Sequence, residues 1–420
     1  MTSYVLGLGH VGLPLACWLA LSGQVVLGVD IDCERIAQIR AGRIDIEEYR
    51  NGVPIKEIAK TLIERGALQI GEKIERVGAE PAVFLISVGI ADRPDGSKDL
   101  SPVIGAVEAI ADVLAPHDLI VLRSTMIPGT CETTILPILQ RRNLPFHFAY
   151  CPETIIETQA FEELEKNPLI LSGMDEESLQ KALAFFRTLT QVPIHTASNI
   201  RTAEMAKVVQ NICRDVNIAF ANEISDAAVS LKIDDAELQQ LVNVNPRVSM
   251  LTSGPGVGGY CLPNALSYLR GGAMPYDGLT LSQTARNLNQ ARPYQLVQRI
   301  IQALSKAGKS VQGAKIAVAG LAMKSYCADL RNSPALDLIR ELEDIGAQVR
   351  AYDPLVPPQF PFQAASLADA VQDADCLVIT ALQRVMPLDT AALAAHMAAP
   401  PIIMDTQHVL KPTSGVALFQ

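Results

Sequence analysis

Tyr4-Val5-Leu6-Gly7-Leu8-Gly9-His10-Val11-Gly12 opens the chain, and Leu13 to Ser22 follows as an apolar helical stretch that Gly23 stops. Val25 to Val29 then reads as a second buried strand running into Asp30. Glycines at this spacing, after a strand and before a helix, let the backbone turn tightly and set a pyrophosphate on the helix N-terminus. An acid eighteen residues after Gly12 stands where adenosine ribose hydroxyls need an acceptor. The stretch predicts a dinucleotide-binding strand–helix–strand unit; a purely structural glycine turn is the alternative. Asp30 would repel a 2′-phosphate, which favours NAD over NADP.

Outward from that unit, Ala82 to Val88, Leu119 to Leu122 and Phe146 to Tyr150 are further apolar runs of strand length separated by helical patterns. Such alternation predicts a doubly wound parallel sheet over residues 1–195. From about Arg201 to Leu304 the pattern is helical, broken by the loop Gly254-Pro255-Gly256-Val257-Gly258-Gly259. Strands return at Lys315 to Ala319, Gln348 to Tyr352, Cys376 to Thr380 and Ile402 to Met404, with a helix expected from Ser333 to Gly346. This last unit faintly echoes the first: strand, glycine turn, helix, strand, acid (Asp353). The expected architecture is α/β, with two Rossmann-like domains (1–195 and 306–420) joined by an all-helical domain (196–305).

Composition agrees. Of 420 residues, 49% are apolar but only 5% aromatic, as expected where Ala, Val, Leu and Ile fill sheets covered by helices. A net charge of −10 excludes a chain-wide basic footprint for nucleic acid or anionic membranes. Anionic ligands must be met by local Arg and Lys or by helix N-termini. Eight cysteines are scattered without a Cys-x-x-Cys pair, so neither a disulfide framework nor a metal site is expected, and a cytoplasmic location fits free thiols. The apolar N-terminus imitates a signal peptide, yet it lacks a basic leader and is broken by glycines and a proline.

Several residues outside the glycine turn bear chemistry. Lys207 and Asn211 are spaced one helical turn apart, so they share a face and could stabilise an oxyanion or relay a proton; a solvated pair is the plainer reading. Cys261 follows Gly-Val-Gly-Gly-Tyr, whose backbone amides could stabilise a thiolate, although most cysteines are inert buried thiols. Glu153 and Glu157 follow one strand-like run and Ser124-Thr125 follow another, where doubly wound sheets bind ligands; helix capping explains them equally well. Lys324, Asp329 and Arg331 either bind phosphate or brace a turn.

Taken jointly, these stretches resemble the UDP-glucose/GDP-mannose dehydrogenase family. The resemblance runs through GLGHVGLPLA with GVDID, LRSTMIPGT, CPETIIE, AEMAKVVQN, GPGVGGYCLP, and GLAMKSYCADLRNSPALDL with AYDP. RDVNIAFANE and NPRVSML look most like the branch acting on UDP-N-acetylhexosamines. It implies an NAD domain, a central domain forming a homodimer, a C-terminal UDP-sugar domain, and oxidation of a sugar C6 alcohol to a carboxylate. Cys261 would trap the aldehyde as a thiohemiacetal and then carry a thioester. Lys207 and Asn211 would assist proton transfer, and Glu153 with a water held by Thr125 would serve hydrolysis. NAD would touch Gly7, Gly9, His10, Val11, Gly12, Asp30, Arg35, Ser87, Thr125 and Arg331. The substrate would touch Glu157, Lys207, Asn211, Gly258 and Lys324, with Arg247 reaching the neighbouring subunit's substrate.

The chain departs from the family pattern around the site. Ala265 stands where relatives carry Asp four residues after the nucleophile, Tyr260 where His or Ser is usual, and Thr158 where many have Gly. Val88-Gly89-Ile90-Ala91 replaces Val-Pro-Thr-Pro, and Thr154 replaces Arg or Phe. Two other readings therefore stand beside the four-electron oxidation. One is a two-electron NAD-dependent alcohol dehydrogenase on a related or smaller phosphorylated substrate; the other is a non-catalytic nucleotide-sugar-binding protein.

Overall fold

Short apolar runs bounded by glycine or aspartate form the strands of two parallel sheets, as their composition dictates. The computed structural model describes residues 2–93, 95–270, 276 and 278–419. These divide into two compact units, residues 1–210 with 267–277, and residues 211–266 with 278–420.

The first unit holds an eight-stranded sheet ordered Ile194–Thr196, Leu169–Gly173, His147–Tyr150, Leu119–Leu122, Val83–Ile86, Thr2–Leu6, Val25–Val29, Leu68–Gly71. The six strands from His147–Tyr150 to Leu68–Gly71 run parallel, with Val5 opposite both Gly28 and Leu85. Leu169–Gly173 runs antiparallel to His147–Tyr150, and Ile194–Thr196, parallel to it, shares the reversed direction. An apolar run has no direction, so the sequence does not announce that reversal. Helix Gly12–Leu21 is buried from Gly12 to Ala20, Trp18 included, and packs into the sheet core with Leu8, Leu62 and Phe161. It begins at Gly12 because a Cβ there would lie 1.7 Å from the Gly7 carbonyl oxygen.

The second unit contains a five-stranded, wholly parallel sheet ordered Gln348–Tyr352, Lys315–Ala319, Cys376–Ile379, Ile402–Asp405, Ala417–Phe419. Helix Pro334–Asp344 covers it, started by Ser333, whose side chain caps Ala335. Two long helices supply the helical stretch, Ile200–Ser230 and Thr280–Lys306. Their polar seam is buried: Arg286 pairs with Asp215 at 3.0 Å, and Asn289 donates to the Asp215 carboxylate at 2.9 Å and carbonyl at 2.8 Å. Burial pushes the Asp215 carboxyl up and the Arg286 guanidinium down, so desolvation offsets part of the pair's attraction. No helix among the described residues is long and apolar enough to cross a membrane.

Candidate active site

In the first unit the proposed residues follow the carboxyl ends of adjacent parallel strands, where open α/β sheets bind ligands. Gly7 leaves the Thr2–Leu6 strand at φ +86°, and a Cβ on it would meet the Ser87 carbonyl oxygen at 2.9 Å. The Leu8 amide donates to Asp30 Oδ2 at 2.7 Å and the Asp32 amide to Oδ1 at 3.0 Å, which fixes the carboxylate at the end of Val25–Val29. Asp32 in turn caps helix Cys33–Arg40, whose first turn carries a half-buried Arg35. His10 is exposed and Val11 half-buried at the N-terminus of helix Gly12–Leu21, which no side chain caps.

This turn fits a dinucleotide. A Cβ on Gly9 would find nothing within 4 Å, so the space is open for a phosphate to reach the backbone. Ser87 Oγ, at the end of Val83–Ile86, is sealed from solvent and has no hydrogen-bond partner among the described residues. A buried hydroxyl left so calls for a ligand or water partner. Asp30 is partly exposed, and both oxygens are able to accept further.

Two more strands deliver carboxylate and hydroxyl. After Leu119–Leu122, Ser124 donates to the Val88 carbonyl at 2.6 Å and leaves Thr125 half-buried beside it. After His147–Tyr150, Glu153 accepts from its own Thr154 and Ile155 amides at 2.8 and 3.1 Å through Oε1, while Oε2 is gripped by Arg123. Burial alone would push the Glu153 carboxyl up; the Arg123 charge and these hydrogen bonds overcome it and hold it below the usual carboxylate range. No helix starts here, since the next one is Ala160–Lys166, so Glu153 is not a helix cap but an ionised carboxylate that closes a local turn. Glu157 lies in a loop whose following residue, Thr158, sits at φ +80° with its amide held by Glu48 at 2.6 Å. A β-branched residue is strained there, where the family pattern places glycine.

Arg123 and Glu204 are the positioning groups that sequence reasoning missed. Glu204 is fully buried, and its carboxylate accepts from the Gly129 and Cys131 amides, tying the Ser124–Gly129 loop to helix Ile200–Ser230. The one available signal was its place one turn before Lys207. Lys207 is half-buried and Asn211 buried, one turn apart on that same helix.

In the second unit the glycine loop is held at both ends. Asn222 Oδ1 accepts from the Gly254 amide at 2.9 Å, and Arg292 Nε donates to the Gly254 carbonyl at 3.2 Å. The Gly259 amide donates to the Arg331 carbonyl and its own carbonyl accepts from Asn332 Nδ2, both at 2.8 Å. A Cβ on Gly258 would meet the Asn332 carbonyl oxygen at 2.6 Å, and Gly259 sits at φ +78°, so both positions favour glycine. Lys324 and Arg331 belong to the loop that grips Gly259; Arg331 forks onto Asp329, its Nε 2.8 Å from Oδ2, which braces the turn. Arg247 is exposed, with its amide on Asn245 Oδ1.

Burial sorts the cysteines. Cys17, Cys131, Cys151, Cys327 and Cys376 are buried, and burial pushes the thiols of Cys17 and Cys376 to about 12 and that of Cys151 to about 11. Such thiols are not nucleophiles at neutral pH. Cys33, Cys213 and Cys261 are exposed, and of these Cys261 lies beside the glycine loop.

The fold and the glycine turn define an NAD-binding α/β protein. Three domain models of the UDP-glucose/GDP-mannose dehydrogenase family match: the NAD binding domain over residues 1–190, the central domain over 201–291 and the UDP binding domain over 317–412. The UDP-N-acetyl-D-mannosamine dehydrogenase of Pyrococcus horikoshii is 35% identical over 89% of this chain and 88% of its own. The protein of that name from Yersinia pestis is 33% identical over 90% and 92%. Among solved structures, the UDP-D-ManNAc dehydrogenase of Pyrococcus horikoshii superposes with a TM-score of 0.89 at 33% identity, covering 100% of this chain and 98% of its own. The UDP-glucose dehydrogenase of Pyrobaculum islandicum gives 0.84 at 25% identity, covering 100% and 96%. The chain belongs to the UDP-glucose/GDP-mannose dehydrogenase family and is an NAD-dependent UDP-sugar dehydrogenase.

Proposed function

We propose that the chain oxidises the C6 hydroxymethyl group of UDP-N-acetylmannosamine, or a close UDP-N-acetylhexosamine, to the carboxylate. The supporting observation is its likeness, over about nine-tenths of its length, to proteins named for that activity. NAD, when bound, takes a hydride from C6 in each of two oxidations. In the first, Lys207 receives the hydroxyl proton and, with Asn211, steadies the developing oxyanion. The Cys261 thiolate adds to the resulting aldehyde, forming a C–S bond, and loss of the second hydride turns the thiohemiacetal into a thioester. Water held by Thr125 and oriented by the ionised Glu153 then cleaves that bond, releasing the carboxylate and returning the thiol. Glu153 serves as an acceptor that aims the water, because Arg123 keeps it charged.

Gly7, Gly9, His10, Val11, Gly12, Asp30, Arg35 and Ser87 hold the cofactor in this reading. Arg331 joins them on the cofactor, while Glu157, Gly258, Lys324 and a partner subunit's arginine equivalent to Arg247 hold the sugar and its phosphates. The domains are 1–195, 196–305 and 306–420, and the central one dimerises.

Ala265 favours a second reading. It is 2% exposed and apolar where the family pattern has a carboxylate, which suits a reaction that stops after one oxidation. Incubation with NAD and a panel of UDP-N-acetylhexosamines and UDP-glucose separates the two. Two NADH per sugar and a product heavier by the mass of a carboxylate conversion are expected. One NADH with an aldehyde product moves the assignment to the two-electron reaction, and Cys261→Ser at full four-electron turnover removes the cysteine mechanism.

A further inference from the structure

Asp235, Ser253 and His408 form a buried chain of hydrogen bonds from three distant segments of the second unit. Asp235 opens helix Asp235–Val242, Ser253 immediately precedes the glycine loop, and His408 follows strand Ile402–Asp405. Ser253 Oγ lies 2.6 Å from Asp235 Oδ2 and 2.8 Å from His408 Nε2. A hydroxyl has one proton, and an ionised carboxylate can only accept it. The Ser253 proton therefore goes to Asp235, and its oxygen accepts from His408 Nε2–H. His408 Nε2 also lies 3.5 Å from Asp235 Oδ2, and His408 Nδ1 is buried without a hydrogen-bond partner among the described residues.

The order of these bonds excludes a hydrolytic triad. There the acid orients the imidazole through Nδ1 and the hydroxyl gives its proton to the ring. Here the acid takes the serine proton directly, and Asp235 and Ser253 are both buried. The arrangement is built to hold Ser253 still. His408 keeps a left-handed backbone at φ +57°, a conformation that costs about 1 kcal/mol or more and persists only where the surroundings over-determine it.

What Ser253 steadies is the entry to the loop that ends in Cys261. The next residue, Gly254, is held through its amide by Asn222 and through its carbonyl by Arg292, which also pairs with Asp226. The far end is fixed at Gly259 by the Arg331 carbonyl and Asn332. Glycine-rich backbone loses the most entropy on ordering, so a loop of this composition keeps one conformation only when anchored. The amides near the sulfur can stabilise a thiolate only if they are fixed before reaction.

We infer that Ser253, His408 and Asp235 are positioning residues that set the reactivity of Cys261 by fixing the entry to its loop. This rests on Cys261 being the nucleophile. The test measures two readouts on the full-length protein: the rate at which iodoacetamide alkylates Cys261, followed on its own peptide by mass spectrometry, and kcat and KM with NAD and the UDP-sugar. Ser253→Ala is expected to slow alkylation and lower kcat about tenfold, in line with the cost of small misplacements, with KM for NAD within about twofold. Ser253→Thr, which keeps the hydroxyl, restores both. Should Ser253→Ala not fold, His408→Asn keeps the left-handed backbone, shortens the reach to Ser253 and carries the same expectation. A variant that melts earlier while Cys261 alkylates at the wild-type rate overturns the inference, as does a stably folded Ser253→Thr that restores neither readout. If Cys261→Ser retains four-electron turnover, the cysteine mechanism fails instead, and the alkylation rate still judges the latch.

Discussion

The chain contains the same turn twice, and only the first copy is arranged to receive a dinucleotide. Gly7 and Gly320 each end a first strand with positive φ, at +86° and +95°. Each donates its amide to the last carbonyl of the second strand, Val29 at 2.8 Å and Tyr352 at 2.9 Å. The next amide, of Leu8 or Leu321, donates to the acid that ends the second strand, at 2.7 and 2.8 Å. There the likeness stops. Asp30 takes two backbone amides and stays partly exposed, whereas Asp353 is buried and takes Leu321, Ala322, Leu355 and the Gln383 side chain. A helix starts at Gly12 directly after the first turn, but only at Pro334 after the second, and the loop between carries Lys324 and Arg331. The glycine and the acid are thus a device for closing a turn over a parallel sheet. Seating a dinucleotide on the turn itself needs the additional open space at Gly9 and the adjacent helix N-terminus.

Alanine at Gly320 should break the second copy most severely. Its Cβ would lie 2.3 Å from the Ala381 carbonyl oxygen, on backbone that cannot swing away, and in a left-handed conformation. Overpacking and strain together predict a loss of about 4 kcal/mol in urea unfolding. The same change at Gly7, 2.9 Å from the Ser87 oxygen, should cost less. Equal losses at the two positions would mean that the turns are equivalent after all.

Gly9→Val separates turn from site within the first copy. Among the described residues nothing beyond its chain neighbours comes within 4 Å of the added Cβ, so the unfolding midpoint should stay near wild type. The valine would fill the space a phosphate needs, and NAD affinity should fall about 100-fold, or about 2.7 kcal/mol. Calorimetric titration with NAD checks it, and unchanged affinity would remove Gly9 from the cofactor site.

The sequence displays the first copy almost completely, because its parts are local: Gly7, Gly9, Gly12 and Asp30 lie within one strand–helix–strand stretch. Val25–Val29, Val83–Ile86, Leu119–Leu122, His147–Tyr150, Lys315–Ala319, Gln348–Tyr352, Cys376–Ile379 and Ile402–Asp405 are legible as short apolar runs, whereas Leu68–Gly71, Leu169–Gly173 and Ile194–Thr196 do not stand out as strands in the sequence. Asp353 was legible as an echo, but its burial under Gln383 was not, since that contact spans 30 residues. Arg123 and Glu204 look like surface charges in the sequence and are among the most buried polar groups in the fold. The link from Ser253 to His408 crosses 155 residues, and no spacing rule reaches so far. What stays hidden is what holds the chemistry in place.

The smallest expected effect contrasts the two ends of a single strand. His147–Tyr150 leads at its carboxyl end to Glu153, whose every polar contact is satisfied, and begins with His147, whose ring nitrogens are both buried without a hydrogen bond. Burial, with Lys181 nearby, lowers the His147 pKa below its ordinary 6.5, despite Glu177 at 3.8 Å. The folded state therefore holds the ring neutral where the unfolded chain would protonate it. Below about pH 6.5 the unfolded state binds more protons, so this contribution to stability shrinks as pH falls toward the depressed folded value. One group can change stability by at most about 1.4 kcal/mol per pH unit. His147→Phe keeps a ring against His117, 6.0 Å away between centroids, and removes the titration. Urea unfolding between pH 5 and 7 should give a wild-type slope steeper than the variant's, and the difference isolates His147 from the carboxylates titrating below it. Parallel slopes would mean that the ring finds a partner or water when charged, and that this end of the strand is as well satisfied as the other.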